Sequence, residues 1–296
     1  MIITRILGGL GNQMFQYAAG RSLASASGQT LKLDLTEMQR YKTWAFGLEQ
    51  FAIQAESARP DEVPAKPGRG LFNKVKSRLL PKTSPCLIAK ERANTFDAAI
   101  LELRGPVHLQ GYWQTEKYFA SVADVIRKEF GLRAPFSAAR QKVLQQVRAA
   151  DAPVSVHVRR GDYVSNPSAN SIHGTCEPEW YAEAMRQMAA RFDNPSFFVF
   201  SDDPAWARAN LPSWPSMIFV EPQADGQDGE DMHLMAACRA HIIANSTFSW
   251  WGAWLNPNVE KHVIAPAQWF RSKDHDASDI LPATWQRLWM PQSEKP

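Results

Sequence analysis

The amino-acid sequence reads as an α/β protein built from two Rossmann-like halves with a cleft between them. Three features carry this reading. The length is 296 residues, near two domains at roughly 150 residues each. The chain opens with a strand, a glycine turn, a helix and a second strand. From residue 154 to 265 strands and helices then alternate regularly, the mark of a doubly wound sheet. Composition is that of a globular chain, 45% apolar and 21% charged, which excludes collagen, disorder and a disulfide-stapled miniprotein. No apolar run approaches the ~18 residues of a membrane span.

The first strand covers residues 2–7, the turn is Gly8-Gly9-Leu10-Gly11, and helical spacing runs from 12 to 27 before Gly28 closes it. Residues 31–35 form the second strand. Residues 36–105 are less regular. They include a proline-bracketed segment, 66–92, with eight basic residues against one acid, and within it an amphipathic stretch at 69–80. A strand at 107–110 and helices at 116–130 and 138–150 complete the first half. Strands at 154–158, 197–201, 216–220, 241–244 and 262–265 make the second, with helices at 179–192, 204–211, 230–239 and 246–255 between them. The domains are therefore placed at 1–150 and 151–296, the last residues being free to return to the first half. Met1 is followed by no basic leader and long apolar stretch, so no signal peptide is expected. Cys86, Cys176 and Cys238 are odd in number and lack metal or redox spacing, so a reducing cytoplasm is the expected setting. The net charge of +3 gives no reason to expect a nucleic-acid partner.

Ligands of open α/β sheets lie beyond the carboxyl ends of the strands, so the residues after each strand carry the functional reading. His157, Arg159, Arg160, Asp162 and Tyr163 follow one strand. Two adjacent arginines suit a diphosphate, whose oxygens guanidinium forks grip in pairs. The same pair also fits a surface pair satisfied by Asp162 and neighbouring acids. Asn245, Ser246, Thr247 and Ser249 follow another strand, offering hydroxyls and first-turn amides to an anion, or plain helix capping. Asp202 and Asp203 end a third; a carboxylate there can accept from a guanine edge or cap the next helix. Neither these acids nor Asp225, Asp228, Glu230 and Asp231 show calcium-loop spacing, and no metal site is assigned. The turn at Gly8–Gly11 is half a dinucleotide fingerprint, with Asp34 at a suitable distance, which keeps a nicotinamide oxidoreductase in view; Met14 stands where that motif needs a small residue. Trp113, Trp250, Trp251, Trp254 and Trp269 lie beside these runs as core or as sugar-stacking faces.

Taken together the runs GGLGNQMFQ (8–16), GYWQTEKYF (111–119), HVRRGDY (157–163), Ser201-Asp202-Asp203, IIANSTFSWWGAWL (242–255) and VIAP with Trp269-Phe270 resemble the α-1,2-fucosyltransferases of glycosyltransferase family 11. The resemblance implies a GT-B fold, GDP-β-L-fucose as donor, a terminal β-galactoside acceptor fucosylated on its 2-hydroxyl, inversion, and no required cofactor or metal. It makes residues 1–150 the acceptor side and 151–296 the nucleotide side. It implies that Arg159 holds the β-phosphate, with Arg160 and His157 shaping the nucleotide site. Asn245, Ser246, Thr247 and Ser249 would support the diphosphate, and Asp202 or Asp203 would read the nucleoside. Gly11, Asn12 and Gln13 would border the reacting sugar, and Asp162 is the first candidate for general base. It also implies a bacterial-type enzyme working on cytoplasmic glycans; the amphipathic stretch at 69–80, by its own residues, reads as a solvated helix or as a peripheral contact to an anionic inner membrane. A fucosyltransferase of another linkage and a non-catalytic glycan-binding module remain as alternatives.

Overall fold

A computed structural model describes residues 1–40, 44–64, 86–223 and 228–289. The amphipathic stretch at 69–80, most of the basic segment, Asp225 and the last residues, 290–296, lie outside the described residues. The chain divides into two compact units, Met1–Gly131 and Leu132–Pro296.

In the first unit, β1 (Ile2–Arg5), β2 (Leu31–Asp34), β3 (Glu56–Ser57), β4 (Leu87–Lys90) and β5 (Val107–Gln110) form one sheet in the order β3-β2-β1-β5-β4. All its pairings are parallel. Gly8 takes a φ of +83°, which a side chain would oppose, and the chain turns there straight into α1 (Leu10–Ser27), two residues before the expected start. α1 lies close on the sheet: a Cβ on Gly20 would come within 2.9 Å of Leu31 and 3.1 Å of Thr4. Gly28, at φ 62°, ends the helix by donating to the Ala24 and Ser25 carbonyls. The helix expected over 116–130 breaks into two 3₁₀ turns before α2 (Ala123–Glu129). Glu129 ties α2 to α1, accepting from Tyr17 Oη at 2.6 Å and Arg21 Nε at 2.9 Å.

The second unit runs α3 (Ala138–Ala149), β6 (Ala152–Val158), α4 (Gly161–Ser165), α5 (Pro167–His173), α6 (Pro178–Arg191), β7 (Pro195–Ser201), α7 (Pro204–Asn210), β8 (Met217–Val220), α8 (Asp228–Ala236), β9 (Ala240–Ile242), α9 (Thr247–Leu255), β10 (His262–Pro266) and β11 (Gln286–Leu288). Its parallel sheet has the order β11-β10-β9-β6-β7-β8, the doubly wound Rossmann order. Every residue of β6 is buried, as a strand covered on both faces requires. Because β6 lies between β7 and β9, the order reverses beside it, and a crevice opens at its carboxyl end. Trp180 and Trp250 are fully buried and donate to the carbonyls of Leu288 and Ile280, so they are core pieces with satisfied indoles. No helix among the described residues is long and apolar enough to cross a membrane.

The division falls after Gly131, not at 150, because α3 is fastened to α8. Ser137, the N-cap of α3, donates its backbone N–H and its hydroxyl to Glu230. Arg140, itself buried, donates to Asp231 Oδ2 at 2.9 Å and to the Glu221 carbonyl at 2.8 Å. Burial pushes the Asp231 carboxyl up to about 6 against the pull of Arg140. The folded state then holds a proton that the unfolded chain releases, so this group's contribution to stability falls as pH rises from the ordinary carboxylate range through about 6. Arg140→Ala removes the compensating charge and is expected to cost about 3–5 kcal/mol near neutral pH and less near about pH 5, read by urea unfolding at both values.

Candidate functional site

The run after β6 supplies the centre of the site. Arg159 Nη2 donates to Asp162 Oδ1 at 2.6 Å, and Arg159 Nη1 lies 2.9 Å from Asp202 Oδ2. Its guanidinium stands 5.3 Å from the Tyr163 ring centroid. The Tyr163 ring is stacked flat on His173, with centroids 4.5 Å apart. Arg160 donates its backbone N–H to Asp202 Oδ1 at 2.8 Å and its Nε to Asp203 Oδ2 at 3.3 Å. Its guanidinium lies 4.0 Å from the Trp206 ring centroid, a cation–π contact. Asp203 also caps α7 by accepting from Trp206 N. Two cations thus meet three carboxylates drawn from two neighbouring strand ends. The arginines are neutralised within the protein.

Gly161 is part of this geometry. A Cβ there would come 2.6 Å from Asp202 Oδ2, so only glycine lets that carboxylate reach over the start of α4 to both arginines. Sequence reasoning gave no role to Gly161, to Tyr163 or to the His173 beneath its ring. The first two stand inside the HVRRGDY run, whereas His173 carries no local signal.

His157 is buried at the end of β6, its ring 5.6 Å from that of Phe248. Burial, with the Arg159 charge beside it, lowers its pKa to about 3, so the imidazole is neutral. Its Nδ1 has no hydrogen-bond partner among the described residues.

The run after β9 divides into capping and clamping roles. Ser246 is the N-cap of α9 and accepts from Phe248 N. Ser249 is buried, its hydroxyl returned to the Ser246 carbonyl at 3.2 Å, and Thr247 opens the helix half-buried. The Asn245 side-chain amide donates to the His173 carbonyl at 2.9 Å and the Trp269 carbonyl at 3.2 Å. Its donors hold two loops, so it shapes the site from behind. The α9 N-terminus follows β9, the neighbour of β6, where first-turn amides favour an anion. The five tryptophans beside the runs are all at most 3% exposed and present no sugar-stacking face.

In the first unit, Gly11 is buried inside α1 and Asn12 is half-buried, its Oδ1 accepting from Gln114 Nε2 at 2.8 Å. Gln13 departs from expectation. It is 1% exposed, its Nε2 donates to the carbonyls of Gly8 and Ala45, and its Oε1 accepts from Gly47 N. The side chain pins the glycine turn and has nothing left to offer a sugar. Met14 is fully buried under the same helix start, where a dinucleotide fingerprint requires a small residue.

The model of the family described as glycosyl transferase family 11 matches residues 1–288. An alpha-1,2-colitosyltransferase of Escherichia coli is 36% identical over 298 residues, 97% of this chain and 99% of that protein. Galactoside alpha-(1,2)-fucosyltransferase 1 of Homo sapiens is 31% identical over a stretch covering 52% of this chain and 44% of its own. The crystal structure of the fucosyltransferase NodZ from Bradyrhizobium aligns with a TM-score of 0.51 at 16% identity, covering 86% of this chain and 92% of that one. That likeness is one of fold, the GT-B type.

The neutral His157 gives a direct check. Acid below the ordinary imidazole pKa protonates the unfolded chain in preference to the folded one, so its burial works against the folded state there. Ring resonances of His157 are expected to stay those of a neutral imidazole down to about pH 4 in an NMR titration. A His157 that charges near about pH 6 would contradict this environment.

Proposed function

The chain belongs to glycosyl transferase family 11 and is a glycosyltransferase, and from that premise we propose that it transfers L-fucose from GDP-β-L-fucose to the 2-hydroxyl of a terminal β-galactose, inverting the sugar carbon and requiring no bound metal. The observation that carries this reading is the guanidinium of Arg159 between Asp162 and Asp202 at the carboxyl end of β6. The acceptor oxygen bonds to the fucosyl carbon as the bond from that carbon to the β-phosphate breaks. The electron pair leaves with GDP, and the acceptor's proton passes to a base or to water. Negative charge grows on the departing diphosphate. Arg159, Arg160 and the first-turn amides of α9 would meet it in a fixed arrangement, the kind of electrostatic stabilisation that contributes most when donors are already oriented. Asp202 and Asp203 are paired with arginines, which favours guanidinium over a metal ion as the charge partner. The likeness to an α-1,2-fucosyltransferase supports both the linkage and fucose.

A second donor is favoured by one specific finding, the likeness to an alpha-1,2-colitosyltransferase along almost the whole chain. Colitose is fucose without its 3-hydroxyl, so a site built on the diphosphate would accept both nucleotide sugars unless a polar group reads that hydroxyl. The two donors are separated by incubating the protein with GDP-fucose or GDP-colitose and a panel of β-galactosides, then measuring GDP release and product linkage. Faster galactoside-dependent turnover of GDP-fucose is expected. Turnover of GDP-colitose alone would replace the donor and keep the linkage.

Asp162 accepts from Arg159 at 2.6 Å, so it is read as the residue that positions the guanidinium. Arg159→Ala is expected to fold and to lose about 10²–10³ in kcat. Asp162→Asn is expected to lower kcat while leaving the acidic limb of the pH–rate profile in place; loss of that limb would make Asp162 the base.

A further inference from the structure

The first unit holds a cavity of about 570 Å³ whose lining includes none of the residues assigned above to the nucleotide. It lies where β1, β2, β5 and β4 end. Arg5 is in register with Asp34, Ile3 and Ile88 with His108, and Lys90 with Gln110. Alternation along a strand therefore sets Arg5, Asp34, Ile88, Lys90, His108 and Gln110 on one face of the sheet, and all six line the cavity. α1 covers the other face, where Thr4 Oγ1 donates to the Gln16 carbonyl.

The hydrogen bonds within this wall decide what it can take. Asp34 is buried, and burial alone would raise its pKa. Three donors outweigh that and hold it below the ordinary carboxylate value: His108 Nε2 at 3.1 Å, Thr36 Oγ1 at 2.7 Å and Thr36 N at 3.0 Å. Gln110 Nε2 lies 3.0 Å from His108 Nδ1, so both ring nitrogens of His108 are engaged within the wall. The hydrogen-bonding capacity of the Asp34 carboxylate is thus taken up inside the wall. Glu37 and Arg40, also on the lining, face each other at 3.9 Å. The lining carries Arg5, Arg40 and Lys90 against Asp34 and Glu37, one positive charge in excess. Arg5 Nε is buried with no hydrogen-bond partner among the described residues, and Lys90 makes no ion pair among them. A buried guanidinium N–H without an acceptor is costly, and a ligand oxygen would relieve it.

We infer that this cavity anchors the acceptor glycan and selects one that carries an anionic group, a uronate carboxylate or a phosphate, beyond the galactose that receives the sugar. The inference rests on the galactoside transfer proposed above. Ile88 offers an apolar patch to the sugar ring, Gln110 Oε1 accepts from a ring hydroxyl, and Arg5 and Lys90 hold the anion.

The test compares three β-galactosides with GDP-fucose at saturation: galactose linked to glucuronate, to a hexosamine 1-phosphate, and to the neutral sugar. The wild type is expected to favour one anionic acceptor over the neutral one by about tenfold or more in kcat/KM, the size of a charge-assisted hydrogen bond. The difference should lie in KM, because anchoring acts alike on ground and transition states. Whichever anion is preferred identifies the source. In Lys90→Gln, a change on an exposed strand end, and in Arg5→Gln, the anionic-to-neutral ratio should fall towards one. Equal kcat/KM for all three acceptors in the wild type, or a preference that survives both substitutions, overturns the inference. If no galactoside accepts fucose, the transfer reading fails on its own, and calorimetry with the same anionic disaccharides decides the cavity. Binding that depends on the anion and is lost in Lys90→Gln upholds it; no such binding overturns it.

Discussion

Arg159 leaves a strand buried along its whole length and is met at once by two carboxylates, and much of the second unit's local layout serves that meeting. A guanidinium at the mouth of a buried sheet keeps its charge under all ordinary conditions and must have acceptors. Asp162 comes from the first turn of the following helix, and Asp202 crosses from the next strand, β7. For Asp202 to reach, Gly161 must lack a side chain. For the strand ends to be adjacent, β6 must pair with β7 over seven residues in register, which it does. The neutral His157, the Tyr163–His173 stack and the Asn245 clamp then close the space around the guanidinium with groups that add no further positive charge. The result is a cation pre-oriented at a strand reversal, held between two carboxylates.

The first unit answers a different requirement with similar means. Its glycine turn is held by amides: Gln13 binds the carbonyls of Gly8 and Ala45, and Gln16 binds both the N–H and the C=O of Leu7. A turn needing positive φ at Gly8 would otherwise leave main-chain groups without partners beneath a helix. Gln114 then reaches from the segment after β5 to Asn12. That segment is itself strained, with Trp113 at φ 58°, and its N–H groups at Tyr112 and Trp113 are gathered by Glu91. Two short polar segments at neighbouring strand ends are thereby fixed to each other.

The regular parts of the fold were legible because their signals are local. The strand at 107–110, the helix ending at Gly28 and the alternating half from β6 to β10 follow from apolar periodicity and from proline and glycine punctuation. β4 and β11 were not legible: each is a short segment with exposed or half-exposed residues, and pairing with a neighbour, not pattern, makes it a strand. The boundary was misplaced because α3 has a polar sequence resembling a linker, while what decides its allegiance is Arg140 and Ser137 reaching acids some ninety residues on. That acids satisfy the arginine pair is one of the two readings open in the sequence; that Asp202 and Asp203 are those acids depends on the β6–β7 register. The pinning role of Gln13 is hidden from the sequence in the same way, since its partners at Ala45 and Gly47 are distant in the chain.

If Arg159 stabilises the departing diphosphate, phosphate oxygens must reach its guanidinium. A crystal structure of the protein with GDP-fucose tests it most directly. β-Phosphate oxygens are expected within hydrogen-bond distance of the Arg159 guanidinium, with the Asp202 carboxylate turned away from Nη1. A nucleotide bound elsewhere, with the Arg159–Asp202 pair undisturbed, would contradict it.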